Sequence, residues 1–227
     1  MGMMKKRIKV IFIVAGLSAA TLIPISSASA ADAAVSCKPA KSTGHAPKKL
    51  DLPKIKKPFR DRTITLKTNC GNIVIATYGT KAPLTVISMS YLANRGYFDN
   101  SLCHRMVTNG IFIIQCGDPT ASGSGGPQWT VPDENLPTGN VTDNLYPAGT
   151  VAMANSGPNT NGSQFFLVYA DTTLGPSYTR WGKITKGLDI LKYVAAQGVV
   201  GGRRPRPAPN PEGRVGGRRL RGHRQWQ

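Results

Sequence analysis

The first regular pattern of apolar and polar positions is a pair of β-branched runs followed by a helical repeat. Residues 63–68 (TITLKT) and 72–78 (NIVIATY) are separated by Asn69-Cys70-Gly71, which predicts a β-hairpin. Over residues 82–95 apolar side chains recur at helical spacing, and Gly96 follows as a C-cap. The pattern therefore predicts strand, strand, helix.

Further short strands are predicted along the rest of the chain. Residues 102–107 and 111–115 form a second hairpin around Thr108-Asn109-Gly110, and residues 151–154, 165–169 and 181–184 are three more apolar runs. Residues 117–127 contain too much glycine and serine for a regular element, which predicts a loop. Residues 188–196 have the pattern of a second helix. Many short strands with two helices predict a mainly β fold, a closed β-barrel capped by the two helices.

The N-terminus has a different pattern, that of a secretory signal peptide. A basic cluster at residues 5–9 precedes an apolar run over residues 10–25, and Ala28-Ser29-Ala30 is an A-x-A cleavage site. An uncleaved transmembrane anchor is an alternative, against which Pro24 and the small residues count. A lipid anchor at Cys37 is a third, although residues 34–36 match a lipidation signal poorly. We expect a secreted or cell-envelope protein without stable membrane association after cleavage.

Composition divides the remaining chain into three parts. Residues 31–61 are rich in Ala, Lys, Pro and Ser, which predicts a flexible lead-in, with order beginning near Arg62. Residues 62–200 hold the predicted domain, and residues 201–227, rich in Arg, Pro and Gly, predict a disordered tail. The net charge of +18 is concentrated in the signal peptide, lead-in and tail. No nucleic-acid binding is expected of the balanced central region, and a polyanion-binding protein driven by the basic ends is an alternative.

The central region offers no nucleophile and no metal site. Cys103 and its neighbour His104 point to opposite faces of a strand, so His104 is interpreted as a structural histidine with satisfied hydrogen bonds. Asp118 stands alone, and no G-x-S-x-G motif is present. The spacing of the four cysteines gives no C-x-x-C and there are no paired histidines, so we expect no metal site. Covalent and acid–base hydrolysis are poorly supported.

Several ordered motifs resemble the cyclophilins, the peptidyl-prolyl isomerases. They are CHRM, IQCGDPTASGSGGP, VPDENLP, YPAGTVAMANSGPNTNGSQFFLVYADT and RWGKI, and the resemblance extends from about residue 63 to 200. It implies an eight-stranded antiparallel barrel with two helices and a groove on its outer face. It also implies isomerisation of X–Pro bonds in exported proteins, which assists their folding, by a monomer that binds proline-containing polypeptides and needs no cofactor.

The resemblance assigns the groove residue by residue. Arg105 matches the catalytic arginine, which would donate to the prolyl carbonyl or nitrogen and stabilise the twisted peptide bond. Apolar positions would hold the proline ring, and polar or main-chain positions would hold the flanking peptide. The first set is Phe112, Ile113, Phe166 and Leu174, and the second is Gln115, Ala154, Asn155 and Gln164.

The chain also departs from the family pattern. The hairpin between Arg105 and Gln115 is two residues longer than usual, Leu174 stands at or next to the place of a tryptophan, and Tyr178 replaces a histidine in the groove. We therefore expect weakened cyclosporin binding. Residues 201–227 lack the β-branched strand that closes the family's barrel, so the first strands would have an unpaired edge. A basic interaction tail and a reading-frame change are two explanations of this end.

Two questions stay open at this level. All four cysteines follow the predicted cleavage site, and an oxidising destination favours disulfides. Proximity favours Cys103–Cys116 and Cys37–Cys70, but strand parity places Cys116 on the face opposite Arg105 and Gln115 unless a bulge intervenes. The second question is function, since the same groove in a pure binding module would hold proline-containing segments without catalysis.

Overall fold

The computed structural model describes residues 34–55, 57–198 and 224–225. Nine strands and two helices follow one another along this part of the chain. Their bounds are β1 Thr63–Thr68, β2 Gly71–Thr77, α1 Pro83–Asn94, β3 Arg105–Val107, β4 Ile113–Cys116, β5 Trp129–Thr130, β6 Thr150–Met153, β7 Phe165–Val168, β8 Arg180–Lys186, α2 Leu188–Ala196 and β9 Arg224–Gln225.

Seven of the strands form one antiparallel sheet in the order β1-β2-β8-β6-β7-β4-β3. The predicted class, a mainly β antiparallel fold with two helices, is confirmed. The sheet contains seven strands rather than the expected eight, and within the described residues β1 and β3 are its unpaired edges. β5 and β9 form a separate parallel pair of two residues each.

Helix α1 begins where its sequence predicts, with Pro83 in the first turn. Its free N–H groups are satisfied from outside the helix, because the Glu134 carboxylate accepts from the main-chain nitrogens of Leu84 and Thr85 at 3.0 and 2.8 Å. A carboxylate at this position also interacts favourably with the helix dipole. Glu134, in the loop after β5, therefore holds α1 in place.

The two faces of the sheet carry two separate apolar clusters. The larger one packs the inner face against both helices, and it includes Trp129, Trp181, Ile75 and Leu92, each at most 2% exposed. The smaller one lies on the outer face, and we call it the outer cluster. Its buried members are Ile113, Leu145, Tyr146, Ala152, Phe166 and Val168. A fold of this size usually buries one face of its sheet, so a second cluster on the outer face marks a candidate site.

Several hydrogen bonds connect the lead-in to the domain. Its described residues, 34–55 and 57–61, contain no helix or strand. The Lys38 nitrogen donates to the Asn69 carbonyl at 2.9 Å, the His45 nitrogen donates to the Pro119 carbonyl at 2.8 Å, and Lys48 Nζ donates to the Arg95 carbonyl at 3.0 Å. Composition did not reveal these contacts because they are made to residues far along the chain.

Both predicted disulfides are present, Cys37–Cys70 and Cys103–Cys116. The parity objection to the second is removed because regular pairing begins only at Arg105. Cys103 lies before the strand, where side chains no longer alternate between faces. The first disulfide fixes the lead-in to the turn of the β1–β2 hairpin.

Two predictions fall outside the described residues, the signal peptide over residues 1–30 and, apart from β9, the tail over residues 201–227. Among the described residues, no helix is long and apolar enough to cross a bilayer.

Candidate active site

The register of the sheet places the predicted catalytic residue in a row with the outer cluster. Arg105 on β3 is opposite Gln115 on β4, Gln115 is opposite Phe166 on β7, and Phe166 is opposite Ala152 on β6. Directly paired residues share a face of a sheet. One row across four strands therefore carries a guanidinium, an amide and an aromatic ring on the outer face.

A chain of hydrogen bonds orients the polar end of this row. Arg105 Nη1 donates to Gln115 Oε1 at 3.2 Å, and Gln115 Nε2 donates to Gln164 Oε1 at 2.9 Å. Gln164 Nε2 donates in turn to the Gly125 carbonyl at 2.9 Å. Because Arg105 is bonded here to an amide rather than a carboxylate, this contact orients its positive charge without neutralising it.

The chain ends in the Gly and Ser loop that follows β4, and Asp118 holds this loop. Asp118 is fully buried, and its two oxygens accept five hydrogen bonds from the loop. The donors are the Thr120 nitrogen and hydroxyl, the Ser122 hydroxyl, and the Gly123 and Gly125 nitrogens. Burial raises the pKa of Asp118, but the hydrogen bonds from Thr120, Gly125 and Gly123 outweigh burial and lower it overall.

A cavity of about 300 Å³ joins the polar groove residues. Gln115, Ala154, Asn155 and Gln164, four of the predicted positions, line it together with the Gly and Ser loop. The Ala154 nitrogen donates a hydrogen bond to the Gln164 carbonyl. The main-chain N–H and C=O of Asn155 form no hydrogen bond within the described residues. A free N–H and C=O on a groove wall can pair with an extended peptide.

The predicted proline pocket is covered in this structure. Phe166 is 2% exposed, and the Tyr178 ring stands edge-on to it with 5.4 Å between ring centroids. Leu174 and Tyr178, both half-buried, pack on the outer cluster together with Ile111. The Tyr178 ring is thus one of the groups that shield Phe166 from solvent.

One predicted groove residue lies elsewhere. Phe112 packs against the inner cluster, with its ring centroid 5.9 Å from that of Tyr169, whereas Ile113 belongs to the outer cluster. Neighbouring residues of an extended chain point to opposite faces, so the two side chains separate. Grouping Phe112 with Ile113 in the pocket does not agree with this arrangement.

His104 also differs from its interpretation. Both ring nitrogens are buried, and within the described residues only the Gln164 side chain approaches them, in a geometry too poor for a regular hydrogen bond. Burial lowers its pKa, against an opposing effect of the Asp118 charge. The neutral form is therefore favoured at this position.

Sequence reasoning missed two residues that build the site. The sequence treats Asp118 as an isolated carboxylate, although an Asp at the start of a loop rich in Pro, Gly and Ser is the signal of a side-chain-capped turn. Tyr146, which is fully buried, donates from its hydroxyl to the carbonyls of Gly175 and Tyr178 at 3.2 Å, and burial raises its pKa to about 12. No local pattern identifies Tyr146.

The described residues contain no group of three or more His, Cys, Asp or Glu side chains that could hold a metal ion. What the geometry brings together is a charged donor, two amides, a free main-chain edge and an apolar cluster. Such a set can bind and orient a peptide and stabilise charge that shifts within it.

Comparison with known proteins defines the class. Residues 63–212 match the family model described as cyclophilin type peptidyl-prolyl cis-trans isomerase/CLD, so this chain belongs to the cyclophilin-type peptidyl-prolyl cis-trans isomerase family.

Curated relatives include the "probable peptidyl-prolyl cis-trans isomerase B" of Mycobacterium leprae (strain TN), 41% identical over 181 residues, which cover 74% of this chain and 61% of that protein. The protein of the same name from Mycobacterium tuberculosis (strain ATCC 25618 / H37Rv) is 40% identical over 185 residues, with 76% and 60% covered. This chain thus spans about three fifths of the length of both relatives.

Solved structures include a cyclophilin type peptidyl-prolyl cis-trans isomerase from Cryptosporidium parvum. It superposes with a TM-score of 0.56 at 28% identity and covers 64% of this chain and 91% of its own. A second structure of that protein, in the presence of the dipeptide Ala-Pro, has a TM-score of 0.55 at the same identity and covers 63% and 91%.

Proposed function

We propose that this chain is a peptidyl-prolyl cis-trans isomerase, with Arg105 as its catalytic residue and proline-containing polypeptides as its substrates. The observation that carries the proposal is the row from Arg105 through Gln115 to Phe166, which joins an oriented cation to an apolar cluster. The family membership supports the same reaction. The dipeptide Ala-Pro in the related Cryptosporidium structure supports the substrate class.

The reaction needs no covalent step. Rotation about an X–Pro bond requires loss of amide resonance, with a barrier of roughly 18–20 kcal/mol. A donor that binds the prolyl carbonyl or the pyramidal nitrogen more strongly in the twisted state lowers this barrier. In the proposed roles, Arg105 is that donor, Gln115 and Gln164 keep it oriented, and the Asn155 main chain pairs with the flanking peptide. Ile113, Phe166 and Leu174 surround the proline, and Tyr178 is the substrate-contacting residue that uncovers Phe166 when the peptide binds.

The test is prolyl isomerisation of a short X–Pro–Phe peptide by the full chain. Arg105→Ala should lower kcat/KM by about 10²- to 10³-fold, the usual loss when one transition-state donor is removed. Arg62→Ala is the matched control, because its exposed side chain lies outside the groove and its main-chain contact with Thr77 remains. Equal activity of Arg105→Ala and Arg62→Ala, with unchanged circular dichroism, would contradict the catalytic role.

A second candidate is a binding module that uses the same groove. The unused main-chain edge at Asn155 favours it, because pairing with an extended peptide needs neither Arg105 nor an open proline pocket. Peptide binding that survives in Arg105→Ala while the parent chain shows no isomerase activity would select this module over the enzyme.

We further propose that the protein acts outside the cytoplasm, as a bacterial secreted or cell-envelope form. The signal-peptide pattern of residues 1–30 and the pairing of all four cysteines support this location, because disulfides persist in oxidising compartments. Its substrates would then be exported polypeptides, whose folding it assists.

A further inference from the structure

A second cavity, of about 290 Å³, lies on the far side of β6 from the groove, and three cationic side chains line it. Arg180 and Lys183 come from β8, and Lys81 comes from the turn before α1. Its other lining residues are Tyr78, Asn135, Pro147, Ala148 and Thr150. None of the lining residues is acidic. We call it the cationic cavity, and it shares no lining residue with the cavity at Gln115 and Asn155.

A β-bulge turns the two β8 cations toward the same face. Residues three apart in a regular strand point to opposite faces, but β8 pairs Arg180 with Ala152 and Gly182 with Val151, which leaves Trp181 as an extra residue. Trp181 and Ile184, also three apart, are both buried in the inner cluster at 1% and 6% exposure. Arg180 and Lys183 therefore both point outward.

The guanidinium of Arg180 has an unpaired donor in the described part of the chain. Its Nε is buried without a hydrogen-bond partner among the described residues. A buried donor left without a partner is costly, and the cost is larger when the group is charged. The Arg180 main chain is fixed, since its carbonyl accepts from Asn135 Nδ2 at 2.6 Å. The structure thus holds a charged donor in place beside a cavity that supplies it with no anion.

Nearby carboxylates are already engaged elsewhere. Glu134, next to lining residue Asn135, accepts from the first turn of α1, and Asp171 accepts from the Ala148 nitrogen at 2.8 Å. Hydrogen bonds between main-chain groups hold the walls, including those from the Tyr78 nitrogen to the Trp181 carbonyl and from the Ile184 nitrogen to the Gly149 carbonyl, each 2.8 Å. The walls of the cavity are therefore preformed, and the neighbouring carboxylates are oriented by main-chain donors.

We propose that the cationic cavity binds a phosphoryl or pyrophosphoryl group. Three cations without an acidic neighbour in the lining match an oxyanion that carries two or more negative charges. Arginine supplies the planar donor that phosphate oxygens accept, and the two exposed lysines add point charges at the rim. The volume is at the lower end for ligand sites, which fits a small phosphorylated compound or a phospholipid headgroup.

Calorimetric titration of the full chain with pyrophosphate tests the proposal. The double variant Lys81→Gln/Lys183→Gln should bind at least tenfold more weakly than the parent chain, and Arg180→Gln should do the same. The control Lys186→Gln/Lys192→Gln removes two exposed lysines that do not line the cavity, and its affinity should stay within twofold. All variants keep the basic terminal segments. Nonspecific binding of pyrophosphate by those segments therefore cancels when the variants are compared.

Vesicles of phosphatidic acid, whose phosphomonoester headgroup can carry two negative charges, distinguish the source of the group, with phosphatidylcholine vesicles as blank. Loss of pyrophosphate binding in the cavity variants would support a soluble ligand, and loss of vesicle binding alone would support a headgroup. If neither probe distinguishes the cavity variants from the lysine control, the proposal is wrong. Should Arg180→Gln fail to fold, the double lysine variant decides, since both of its side chains are exposed.

Discussion

At the scale of single residues, Tyr178 controls how open the proposed proline pocket is. Its ring edge rests on Phe166, and its main-chain nitrogen and carbonyl are both bonded to the Tyr146 hydroxyl. The main chain is thus fixed at this point, while the side chain is only half-buried. Rotation of the Tyr178 side chain can expose Phe166 without moving the backbone.

Tyr178→Ala should tighten binding of an X–Pro peptide. An edge-to-face aromatic contact contributes about 0.5–1.5 kcal/mol beyond area burial. In the parent chain a proline ring must break this contact to reach Phe166, and Tyr178→Ala removes that cost. The expected decrease in Kd is about 2- to 12-fold by calorimetry. Tyr178→Phe is the control, because it keeps the ring and should leave Kd unchanged. Weaker binding by Tyr178→Ala would mean that the ring is a wall of the pocket rather than its cover.

Single residues show where sequence reasoning succeeded and where it failed. Arg105 and Gln115 were expected on one face, and the hairpin register pairs them directly. Phe112 was placed with Ile113 by resemblance alone, although alternation along an extended chain separates neighbours. The cover over Phe166 could not be predicted, because it depends on where the loop before β8 packs.

At the scale of elements, the Gly and Ser loop links a buried carboxylate to the catalytic row. Asp118 fixes the loop, the loop supplies the Gly125 carbonyl, and that carbonyl orients Gln164. Gln164 then orients Gln115, and Gln115 orients Arg105. The loop is therefore a positioning element for the proposed catalytic residue.

Asp118→Asn should destabilise the fold and remove part of its acid sensitivity. The amide keeps only one acceptor oxygen, so buried loop donors lose partners at about 1–3 kcal/mol. The pKa of Asp118 is lowered in the folded state, so its stabilisation is complete above the unfolded carboxyl pKa of about 4 and is lost as pH falls through the folded value.

Urea unfolding of parent and variant between pH 2.5 and 7 measures this effect. The difference in the free energy of unfolding between them should be largest near neutral pH and shrink below about pH 4. Asp143→Asn, an exposed aspartate outside the loop, is the control. A difference that stays constant with pH would show that Asp118 does not act through its charge.

Regular elements were predicted best when their pattern was local. Both helices and the β1–β2 hairpin lie within about a residue of the predicted bounds, because apolar spacing and turn residues determine them. β3 begins at Arg105 rather than residue 102, and β5, with two residues, was not predicted. The bulge at Trp181 has no sequence signal that distinguishes it from a regular strand. The sequence therefore does not predict that Arg180 and Lys183 lie on the same face.

At the scale of the whole molecule, the two disulfides connect the proposed site to the proposed location. Cys103–Cys116 closes the hairpin that carries Arg105 and Gln115, and Cys37–Cys70 ties the lead-in to the domain. Both bonds require an oxidising compartment to persist. A chain retained in a reducing compartment would lose both constraints.

We expect export to oxidise the chain and to stabilise it. Protein expressed with residues 1–30 in a bacterial host should carry no free thiol. Protein expressed without them should carry four free thiols, as counted by alkylation and mass spectrometry. From sequence separations of 13 and 33, the loop-closure model assigns about 3 kcal/mol to Cys103–Cys116 and about 4 kcal/mol to Cys37–Cys70. Free thiols in the chain made with residues 1–30 would contradict the proposed location.

The course of the lead-in has a consequence for how fast the domain folds. Asn69 bonds the Lys38 carbonyl across 31 residues, and His45 Nε2 bonds the Asp99 carbonyl across 54. Such pairs raise the mean sequence separation of contacts, and domains with high contact order fold slowly. A segment synthesised before the domain can complete these contacts only after the chain beyond Asp99 has been delivered. The lead-in thus adds long-range contacts that slow folding, and its partners, up to Pro119, are all synthesised before the second half of the domain.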